Sequence, residues 1–491
     1  MFRLGVVAAL RSRALRGATV GIMVTASHNP ECDNGAKLVD PHGEMMELSW
    51  ERCVTAVLNA DDDQLEGQLT KIVSDFSIPS DAPSNLIIGY DTRASSVSLH
   101  DAASEGATSL GCAVKSLGLV TTPQLHFVVR CTNDPKYGEP SVHGYYDKLT
   151  SAFIRLASKT KQPLRYTPAL TIDAANGVGA RAVHLLSEQL KNILEISVVN
   201  DGNGPLNDQC GADYVKISQG APVGLSLKTL GRYASLDGDA DRIVYFFQDA
   251  DGKFRLLDGD RIATLLGSYI KKLFGEAGLS DVGIALVQTA YANGSSTKYI
   301  SEKLGINALC VPTGVKHLHH EAQKADVGIY FEANGHGTIC FSDTIKNRVS
   351  ALSSEEAATI SDFIDLTNEA VGDALSDMLL VEYVLRTSDT DVSDWLSEYE
   401  DLPCRQLKVA VKDRTVIKTA NAERTCVAPT GLQEAIDDIV SRFPQARCFV
   451  RPSGTEDIVR VYAEAPGETA GVANVDFLAN EVSKILSRML A

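Results

Sequence analysis

The sequence predicts an α/β protein of four domains, three similar to one another and a smaller α+β domain at the C-terminus. Its 491 residues suggest three to four domains, at about 100–200 residues each. Short apolar strands alternate with amphipathic helices, as in α/β folds. Three stretches, beginning at Asn85, Ala169 and Gly283, each run from an apolar strand into a polar loop that could start a helix. We interpret them as one unit used three times, with ligands expected at the strand ends.

Polar connectors place the domain boundaries. The segment 158–168 contains two prolines and few apolar residues, and a hairpin is expected to turn at Asp251-Gly252 before a new helix. The segment 388–403 leads into a C-terminal part in which residues 445–465 predict two strands around a loop. We therefore expect domains at residues 1–165, 166–257, 258–385 and 403–491.

The first residues predict a helix, because Phe2, Val6 and Leu10 recur at helical spacing. A signal peptide would have a longer apolar core and a small-residue cleavage site. The chain is therefore expected to begin inside a helix, without a leading strand.

Composition excludes some partners. The formal net charge of −17 argues against nucleic acid and anionic membranes, which would repel the chain. Anionic small molecules would need local positive pockets. The ten cysteines include no C-x-x-C pair, which is typical of reduced thiols in a cytoplasmic protein. No apolar run approaches the roughly 20 residues of a membrane span.

A hydroxyl, an imidazole and an amine lie close together in "VTASHNPECDNGAKL", residues 24–38. These are Ser27, His28 and Lys37. On its residues alone, Ser27 could cap a helix, act as a nucleophile, or carry a group onward.

Three carboxylates alternate in "LDGDADR", between two strand-like runs. Asp237, Asp239 and Asp241 would repel one another unless a cation lay among them, and hard oxygen ligands suit Mg²⁺. An EF-hand is excluded, because its sixth position is Arg242 and its twelfth is Gln248. The alternative is a solvated acidic turn.

Two further loops carry polar groups that suit a sugar phosphate. "FEANGHG" offers Glu332, Asn334 and His336 beside glycines that allow close approach, although an ordinary strand-end turn fits equally. In the second loop, guanidinium groups, hydroxyls and backbone N–H groups suit a phosphate dianion, and the alternative is a structural turn with a salt bridge. Its residues are Arg451, Ser453, Gly454, Thr455 and Arg460.

Three histidines, His317, His319 and His320, lie in "VKHLHHEA". Their spacing distributes them around a helix, so we expect surface residues and no metal site.

The order and wording of the four loops resemble the α-D-phosphohexomutase superfamily over essentially the whole chain. The resemblance implies four domains around a central cleft, a phosphoryl group carried by Ser27, and one Mg²⁺ held by Ser27 and the three aspartates. Asn334 stands where glucose and mannose phosphomutases usually have serine, which points to N-acetylglucosamine phosphates as substrates. The implied substrate-binding residues are Glu332, Ala333, Asn334, His336, Arg451, Pro452, Ser453, Gly454, Thr455 and Arg460.

The implied activity interconverts N-acetylglucosamine 6-phosphate and 1-phosphate on the route to UDP-N-acetylglucosamine. A hexosamine 1,6-bisphosphate serves as intermediate and activator. Phosphoserine, three aspartates and Mg²⁺ leave a formal charge of about −3, which His28, Lys37 and Arg242 can offset. Lys37 or His28 would act as general base; the sequence does not choose between them.

One departure from the superfamily qualifies the expected activity. Its members usually begin with a strand and a "GTAGFR"-like loop whose arginine reaches the phosphoserine, and nothing here matches. We expect an unpaired sheet edge in the first domain, and a non-catalytic sugar-phosphate-binding protein is one alternative. A phosphoglucomutase or phosphomannomutase is another. A phosphatase with Asp237 as nucleophile is disfavoured by the lack of a long apolar strand before it, and a serine hydrolase by the lack of a G-x-S-x-G elbow. The oligomeric state is left open.

Overall fold

The structure, a computed structural model, describes residues 1–161, 163–453, 457–469 and 471–490. The chain forms two compact units. The first unit contains residues 1–259, 334–338 and 349–393, and the second contains residues 260–333, 339–348 and 394–491. None of the helices in the described part of the chain is both long and apolar enough to cross a membrane.

The first sheet has the strand order β2-β1-β3-β4, in which β1 pairs parallel with β3 and antiparallel with β2. Its strands are β1 (Thr19–Val24), β2 (Ala36–Val39), β3 (Asn85–Tyr90) and β4 (Ala113–Leu119). The helices of this region are α1 (Phe2–Ala14), α2 (Leu48–Asn59), α3 (Asp62–Asp75), α4 (Ser96–Ser109), α5 (Thr122–Asn133) and α6 (Val142–Lys159). All six residues of β1 are buried, so the sheet's centre lies within the core of this region.

The helix expected at the start of the chain is confirmed as α1, but its buried residues are not limited to the apolar positions that predicted it. Leu4 to Ser12 are all buried, whereas Phe2 is 43% exposed. Arg11 lies inside this buried span, where its guanidinium forms an ion pair with Asp40 at 2.6 Å. The ion pair compensates for the loss of hydration.

The second sheet has the order β6-β5-β7-β8-β9 and also belongs to the first unit. Its elements are β5 (Ala169–Asp173), α7 (Gly179–Leu190), β6 (Glu195–Val199), α8 (Ala212–Ser218), β7 (Tyr233–Leu236), β8 (Ile243–Gln248) and β9 (Phe254–Leu257). The hairpin predicted at Asp251-Gly252 is confirmed between β8 and β9, where Gly252 has a φ of +77°. Such a positive φ is the usual reason for glycine in a tight turn.

The third sheet has the order β11-β10-β12-β13. Its region contains α9 (Gly259–Glu276), β10 (Ile284–Thr289), α10 (Gly294–Lys298), a π-helical turn (Tyr299–Leu304), β11 (Asn307–Val311), α11 (Val315–Ala322), β12 (Val327–Phe331), β13 (Gly337–Phe341) and α12 (Asp343–Ser350). Two helices follow, α13 (Glu355–Leu366) and α14 (Ala374–Ser388). Ser354 and Asp373 cap their N-termini through side-chain oxygens.

The C-terminal region is the expected α+β arrangement, with a three-stranded antiparallel sheet in the order β14-β18-β17. Its elements are α15 (Val392–Leu396), β14 (Cys404–Ala410), a 3₁₀ turn (Arg414–Val416), β15 (Lys418–Ala420), β16 (Thr425–Ala428), α16 (Leu432–Val440), β17 (Arg447–Pro452), β18 (Ile458–Glu464), β19 (Glu468–Thr469), β20 (Val472–Ala473) and α17 (Asn474–Met489). One face of the sheet packs with α16 and α17 in a core that includes Val450, Val459 and Val461.

The three stretches that were interpreted as a repeated unit are confirmed as strand, loop and helix: β3 leads to α4, β5 to α7 and β10 to α10. However, the serine, aspartate and sugar loops lie elsewhere. They connect β1 to β2, β7 to β8 and β12 to β13, which are neighbouring strands in the three sheets. These three loops follow the ends of β1, β7 and β12, and the expectation that ligands bind at strand ends stays a prediction.

Candidate active site

The serine loop connects β1 to β2. The antiparallel register places Met23 opposite Lys37, so the hairpin brings the lysine back beside the end of β1. Ser27 is 6% exposed, and its backbone has a φ of +52°. Its hydroxyl donates a hydrogen bond to the Oδ2 of Asp239 at 3.0 Å. The serine loop therefore places the Ser27 hydroxyl in contact with the aspartate loop.

The aspartate loop connects β7 to β8 and buries all three carboxylates. The Oδ1 of Asp237 accepts hydrogen bonds from the backbone N–H groups of Asp241 and Arg242 at 3.1 and 3.3 Å. One buried oxygen on each aspartate accepts no hydrogen bond from the described residues: Asp237 Oδ2, Asp239 Oδ1 and Asp241 Oδ1. One ligand oxygen from each residue lies within 4.8 Å of the others. A divalent cation satisfies such a set of oxygens, since hard carboxylate ligands suit Mg²⁺.

The Lys37 ammonium lies between two of these carboxylates, at 2.8 Å from Asp239 and 2.6 Å from Asp241. Burial favours the neutral amine, but Asp239 and Asp241 outweigh it and raise the pKa of Lys37. Burial would also raise the pKa of Asp241, but Lys37, His336 and Arg242 hold that pKa well below its ordinary value. The pKa of Asp237 is raised well above its ordinary value, by burial and then by Asp241 and Asp239. The cluster thus has more negative charge than its cations balance. We call Ser27, Lys37, Asp237, Asp239 and Asp241 the serine–aspartate centre.

His28 and Arg242 share a carboxylate that the sequence did not indicate. The Oδ1 of Asp213 lies 3.1 Å from the guanidinium of Arg242, and its Oδ2 lies 3.5 Å from Nε2 of His28. Burial, then the charge of Arg242, lowers the pKa of His28. Asp213 lies in the first turn of α8, outside all four sequence motifs.

Part of the sugar loop lies against the aspartate loop. Gly335 accepts a hydrogen bond from Ile243 N–H at 3.1 Å, and a Cβ at Gly335 would lie 1.9 Å from the Ile243 carbonyl oxygen. This close approach requires glycine. The next residue, His336, has a ring that is 5% exposed, and its Nδ1 lies 3.3 Å from Asp241 Oδ1. Asn334 accepts a hydrogen bond from the backbone N–H of His336 at 3.1 Å.

His336 therefore faces the carboxylates, and its contact with a sugar stays a prediction. Glu332 and Ala333 belong to the second unit and directly follow β12. Their role as sugar ligands is also a prediction.

The phosphate loop connects β17 to β18 in the second unit. The antiparallel register places Arg451 directly opposite Arg460, although like charges in directly opposed positions destabilise a sheet. The Nε of Arg451 donates to Glu423 at 2.8 Å, whereas the buried Nε of Arg460 has no hydrogen-bond partner among the described residues. Two opposed guanidinium groups suit an anion. We call Arg451 and Arg460 the arginine clamp.

The structure describes only some of the other residues predicted for this loop. Pro452 ends β17, and the backbone N–H of Ser453 donates to the Ile458 carbonyl at 2.8 Å. Gly454 and Thr455 lie outside the described residues.

Sequence reasoning missed several residues around the serine. Thr122 Oγ1 donates to Asp239 Oδ2 at 2.6 Å, and Thr25 Oγ1 accepts from the Ser27 N–H at 2.9 Å. Arg93 and Asn207 donate to the Ser27 carbonyl at 3.2 and 2.9 Å. The "TTPQ" helix start at Thr121 could have drawn attention to Thr122. Asn207 lies in a loop without a comparable pattern.

The surface prediction is confirmed for two of the three histidines of α11, whereas His319 is half-buried. His317 and His320 are exposed, and Nδ1 of His319 lies 3.0 Å from the Tyr330 hydroxyl. Among the described residues, the only group of three or more potential metal ligands is the aspartate trio.

Four family models match successive parts of the chain. Residues 6–65 and 64–137 match phosphoglucomutase/phosphomannomutase, alpha/beta/alpha domain I, and residues 407–477 match the C-terminal domain of the same group. Residues 140–244 and 258–390 match domains II and III of phosphoacetylglucosamine mutase AMG1. The predicted four-domain fold class is confirmed, and the exact boundaries stay predictions.

Full-length relatives give the same result. The chain is 48% identical to phosphoacetylglucosamine mutase of Homo sapiens over 98% of this chain and 90% of that protein. It is 44% identical to the Candida albicans enzyme of the same name, over 99% and 92%. The crystal structure of the Aspergillus fumigatus enzyme in complex with GlcNAc-6P and magnesium matches with a TM-score of 0.94 and 45% identity, covering 100% of this chain and 92% of that one.

A further crystal structure, of N-acetylglucosamine-phosphate mutase in a product complex, has a TM-score of 0.94 and 45% identity, and covers 99% of this chain and 92% of that one. These similarities extend across all four loops of the site. By descent as well as by the geometry of its serine and aspartate loops, this chain belongs to the phosphoacetylglucosamine mutase family of the α-D-phosphohexomutase superfamily.

Proposed function

We propose that this protein interconverts N-acetylglucosamine 6-phosphate and N-acetylglucosamine 1-phosphate through a phosphoserine at Ser27. The observation that carries the proposal is the hydrogen bond from the Ser27 hydroxyl to Asp239, inside a group of three buried carboxylates. A serine hydroxyl needs an activating environment to accept and release a phosphoryl group. The family relationship supports the choice of substrate.

The donor set fits one Mg²⁺ per chain. Asp237, Asp239 and Asp241 each have a buried oxygen without a hydrogen-bond partner in the part of the chain that the structure describes, and we propose that these oxygens and Ser27 would hold the ion. When bound, Mg²⁺ would stabilise negative charge on the phosphoryl oxygens and on the serine oxygen.

The transfer balances with the residues of this chain. A free hydroxyl of the sugar phosphate attacks the phosphorus on Ser27, the bond from phosphorus to the serine oxygen breaks, and the attacking hydroxyl loses its proton to a base. The product is a hexosamine 1,6-bisphosphate. After this intermediate turns over, the serine oxygen attacks the phosphorus of its other phosphate and the bond from that phosphorus to the sugar oxygen breaks. The base returns its proton to that sugar oxygen, and the isomerised monophosphate leaves. Lys37 and Arg242 lie beside the carboxylates and offset negative charge on the transferring group.

Lys37 and His28 are the two candidates for the base. The structure holds Lys37 as an ammonium between two carboxylates, so it can accept a proton only after those carboxylates engage another cation. His28 has a lowered pKa and a buried Nδ1 without a hydrogen-bond partner in the described residues. The assignment stays a prediction divided between the two.

We assign the arginine clamp, with Ser453, Gly454 and Thr455, to the phosphate that is not reacting. Glu332 and Asn334 would recognise hydroxyl groups or the acetamido group of the sugar. Each of the ten cysteines is a free thiol, which supports a cytoplasmic location.

The test measures the phosphoryl group itself. Intact-mass analysis after incubation with hexosamine 1,6-bisphosphate should find one phosphoryl group on the native chain and none on Ser27→Ala. Turnover of the variant should fall by at least about four orders of magnitude, because the residue that forms the covalent intermediate is gone. Ser98→Ala, on the exposed side of α4, is the control and should keep both properties. Full turnover by Ser27→Ala would refute the phosphoenzyme mechanism.

A further inference from the structure

A buried pair at the end of β3 has no part in the mechanism above. Asp91 and Arg93 follow β3 in "GYDTRASS", one of the three repeated stretches, and both side chains are fully buried. The guanidinium Nη1 of Arg93 forms an ion pair with Asp91 Oδ2. The Oδ1 of Asp91 accepts from the backbone N–H of Arg93 at 3.1 Å and from Ser96 Oγ at 2.8 Å. These contacts fix the orientation of the guanidinium.

The other end of this guanidinium reaches the serine loop. Nη2 of Arg93 donates to the carbonyl oxygens of Ser27 and Asn29 at 3.2 and 2.7 Å. Asp91 also reaches the other side of the serine through Thr25, whose hydroxyl donates to Asp91 Oδ2 at 2.8 Å and accepts from the Ser27 N–H at 2.9 Å. The pair therefore fixes the peptide groups on both sides of Ser27.

Ser27 needs this support because its backbone is strained. With a φ of +52°, it lies in the left-handed region, which is unfavourable for a residue with a Cβ. Its carbonyl group also lies close to Gly238, where a Cβ would approach the oxygen to 2.7 Å. Strained residues persist only where surrounding contacts over-determine them. Hydrogen bonds from Arg93 to the two carbonyl groups provide such contacts.

We infer that Arg93, oriented by Asp91, is a positioning residue that holds Ser27 in the left-handed conformation needed for phosphoryl transfer. The inference rests on the proposed function, in which Ser27 carries the phosphoryl group. Arg93 does not touch the reacting atoms. It acts by fixing where the serine oxygen lies, and a misplacement of about 1 Å in such a site can cost about a hundredfold in rate.

The test variant is Arg93→Lys, with Arg232→Lys as the matched control. Lysine keeps a positive charge beside Asp91, but a single ammonium cannot reproduce the forked geometry that joins a carboxylate to two carbonyl groups. Arg232 is a buried arginine of the same unit that pairs with Glu382 at 2.7 Å and donates to the Thr167 carbonyl at 2.6 Å. Among the described residues, its side-chain hydrogen bonds go to Glu382 and Thr167 and not to the serine loop. Its substitution therefore measures the general cost of replacing a buried guanidinium with an ammonium.

Arg93→Lys should lower kcat about ten- to a hundredfold, while KM for the sugar phosphate changes less than about threefold. The peptide containing Ser27 should exchange its amide hydrogens about tenfold faster than in the native protein, since its hydrogen bonds are weakened. Arg232→Lys should leave kcat and the exchange rate of the Ser27 peptide within about twofold of native, even if its melting temperature falls as far as that of Arg93→Lys. The double variant Asp91→Asn/Arg93→Met removes the buried charge pair together and should show the same two effects.

The inference is wrong if Arg93→Lys loses no more activity than Arg232→Lys, or if its defect appears in KM with kcat unchanged. It is also wrong if exchange around Ser27 does not change. Failure of the proposed function is distinguished by the native protein, which would then take up no phosphoryl group. The exchange comparison still tests the role of Arg93 in that case, because it requires no turnover.

Discussion

The serine–aspartate centre and the arginine clamp have opposite electrostatic character. In the centre, three buried carboxylates lie together, and each has an oxygen without a hydrogen-bond partner among the residues that the structure describes. In the clamp, two arginines occupy directly opposed positions on paired strands, and Glu423 is the carboxylate bound to Arg451. The first arrangement suits a cation, and the second suits a phosphate.

This difference separates two tasks of a sugar-phosphate mutase. Groups that contact the transferring phosphoryl group influence the chemical step, whereas groups that hold the other phosphate mainly influence binding. Substitutions in the centre should therefore act chiefly on kcat, and substitutions in the clamp chiefly on KM. The four predictions below are ordered from the largest expected effect to the smallest. Those for Asp239 and Arg451 test this division directly, and those for His126 and Asn334 test the stability of the first unit and the sugar specificity.

Asp239→Asn should lower kcat by about three orders of magnitude or more. The change removes one carboxylate charge from the cation site and weakens the acceptor of the Ser27, Thr122 and Lys37 hydrogen bonds. Steady-state rates with increasing Mg²⁺ should show a weakened metal response, and Asp75→Asn on α3 should behave as native. A native enzyme whose rate survives exhaustive EDTA treatment would contradict the cation assignment.

The buried His126 should make the stability of the first unit sensitive to acid. Its ring is fully buried, one ring nitrogen lies 2.7 Å from the Gly43 carbonyl, and burial is the main cause that lowers its pKa to about 4. The unfolded chain, with a histidine pKa near 6.5, binds the proton more readily. Stability is therefore complete above about pH 6.5 and decreases as the pH falls towards 4, by up to about 3 kcal/mol.

Urea unfolding at pH 7 and pH 4.5 measures this effect. The difference in free energy between the two pH values should be smaller for His126→Asn than for the native protein. His320→Asn, at an exposed position of the second unit, provides the control and should leave the difference unchanged. Equal pH dependence in native protein and His126→Asn would contradict the prediction.

Arg451→Ala should raise KM for the sugar phosphate about ten- to a hundredfold, since a charged hydrogen bond to phosphate is lost. A smaller decrease in kcat should accompany it, because a loosely held phosphate misplaces the reacting hydroxyl. Arg405→Ala is the matched control. Arg405 lies on β14 of the same sheet and pairs with Asp476. An unchanged KM for Arg451→Ala would favour the structural-turn alternative.

Asn334→Ser should shift kcat/KM from N-acetylglucosamine phosphate towards glucose phosphate by about tenfold. The shorter side chain loses an amide donor and leaves different room for the 2-acetamido group. Losing one such contact typically costs on the order of 1–3 kcal/mol. The comparison of both substrates also tests the phosphoglucomutase alternative. If the ratio does not change, Asn334 does not determine the sugar specificity.

Local patterns were enough to predict much of the fold. The hairpin at Gly252, the helix from Phe2 and the strands around residues 454–456 follow from apolar periodicity and turn residues. The chemical types of the site could be read in the same way, because Ser27, the three aspartates and the two arginines occur in short, dense motifs. Their assignment to one catalytic cycle came from the resemblance to a superfamily.

The sequence could not identify the supporting residues. In the sequence, Asp91 and Arg93 belonged only to a polar loop at the end of a predicted strand. Asp213 and Asn207 lie in segments without a distinctive pattern. Their importance depends on contacts made by chain segments far apart in the sequence.

The sequence by itself determined which chemical groups this protein has and that they occur in four short loops. Only the tertiary structure decided that Ser27 contacts Asp239, that Lys37 lies between two carboxylates, and that Arg93 donates a hydrogen bond to the Ser27 carbonyl. It also placed Arg451 opposite Arg460, through the register of β17 and β18. The physical reason is that periodicity and turn chemistry act over a few residues, whereas strand pairing and burial join groups as far apart in the sequence as Ser27 and Asp239, which are 212 residues apart.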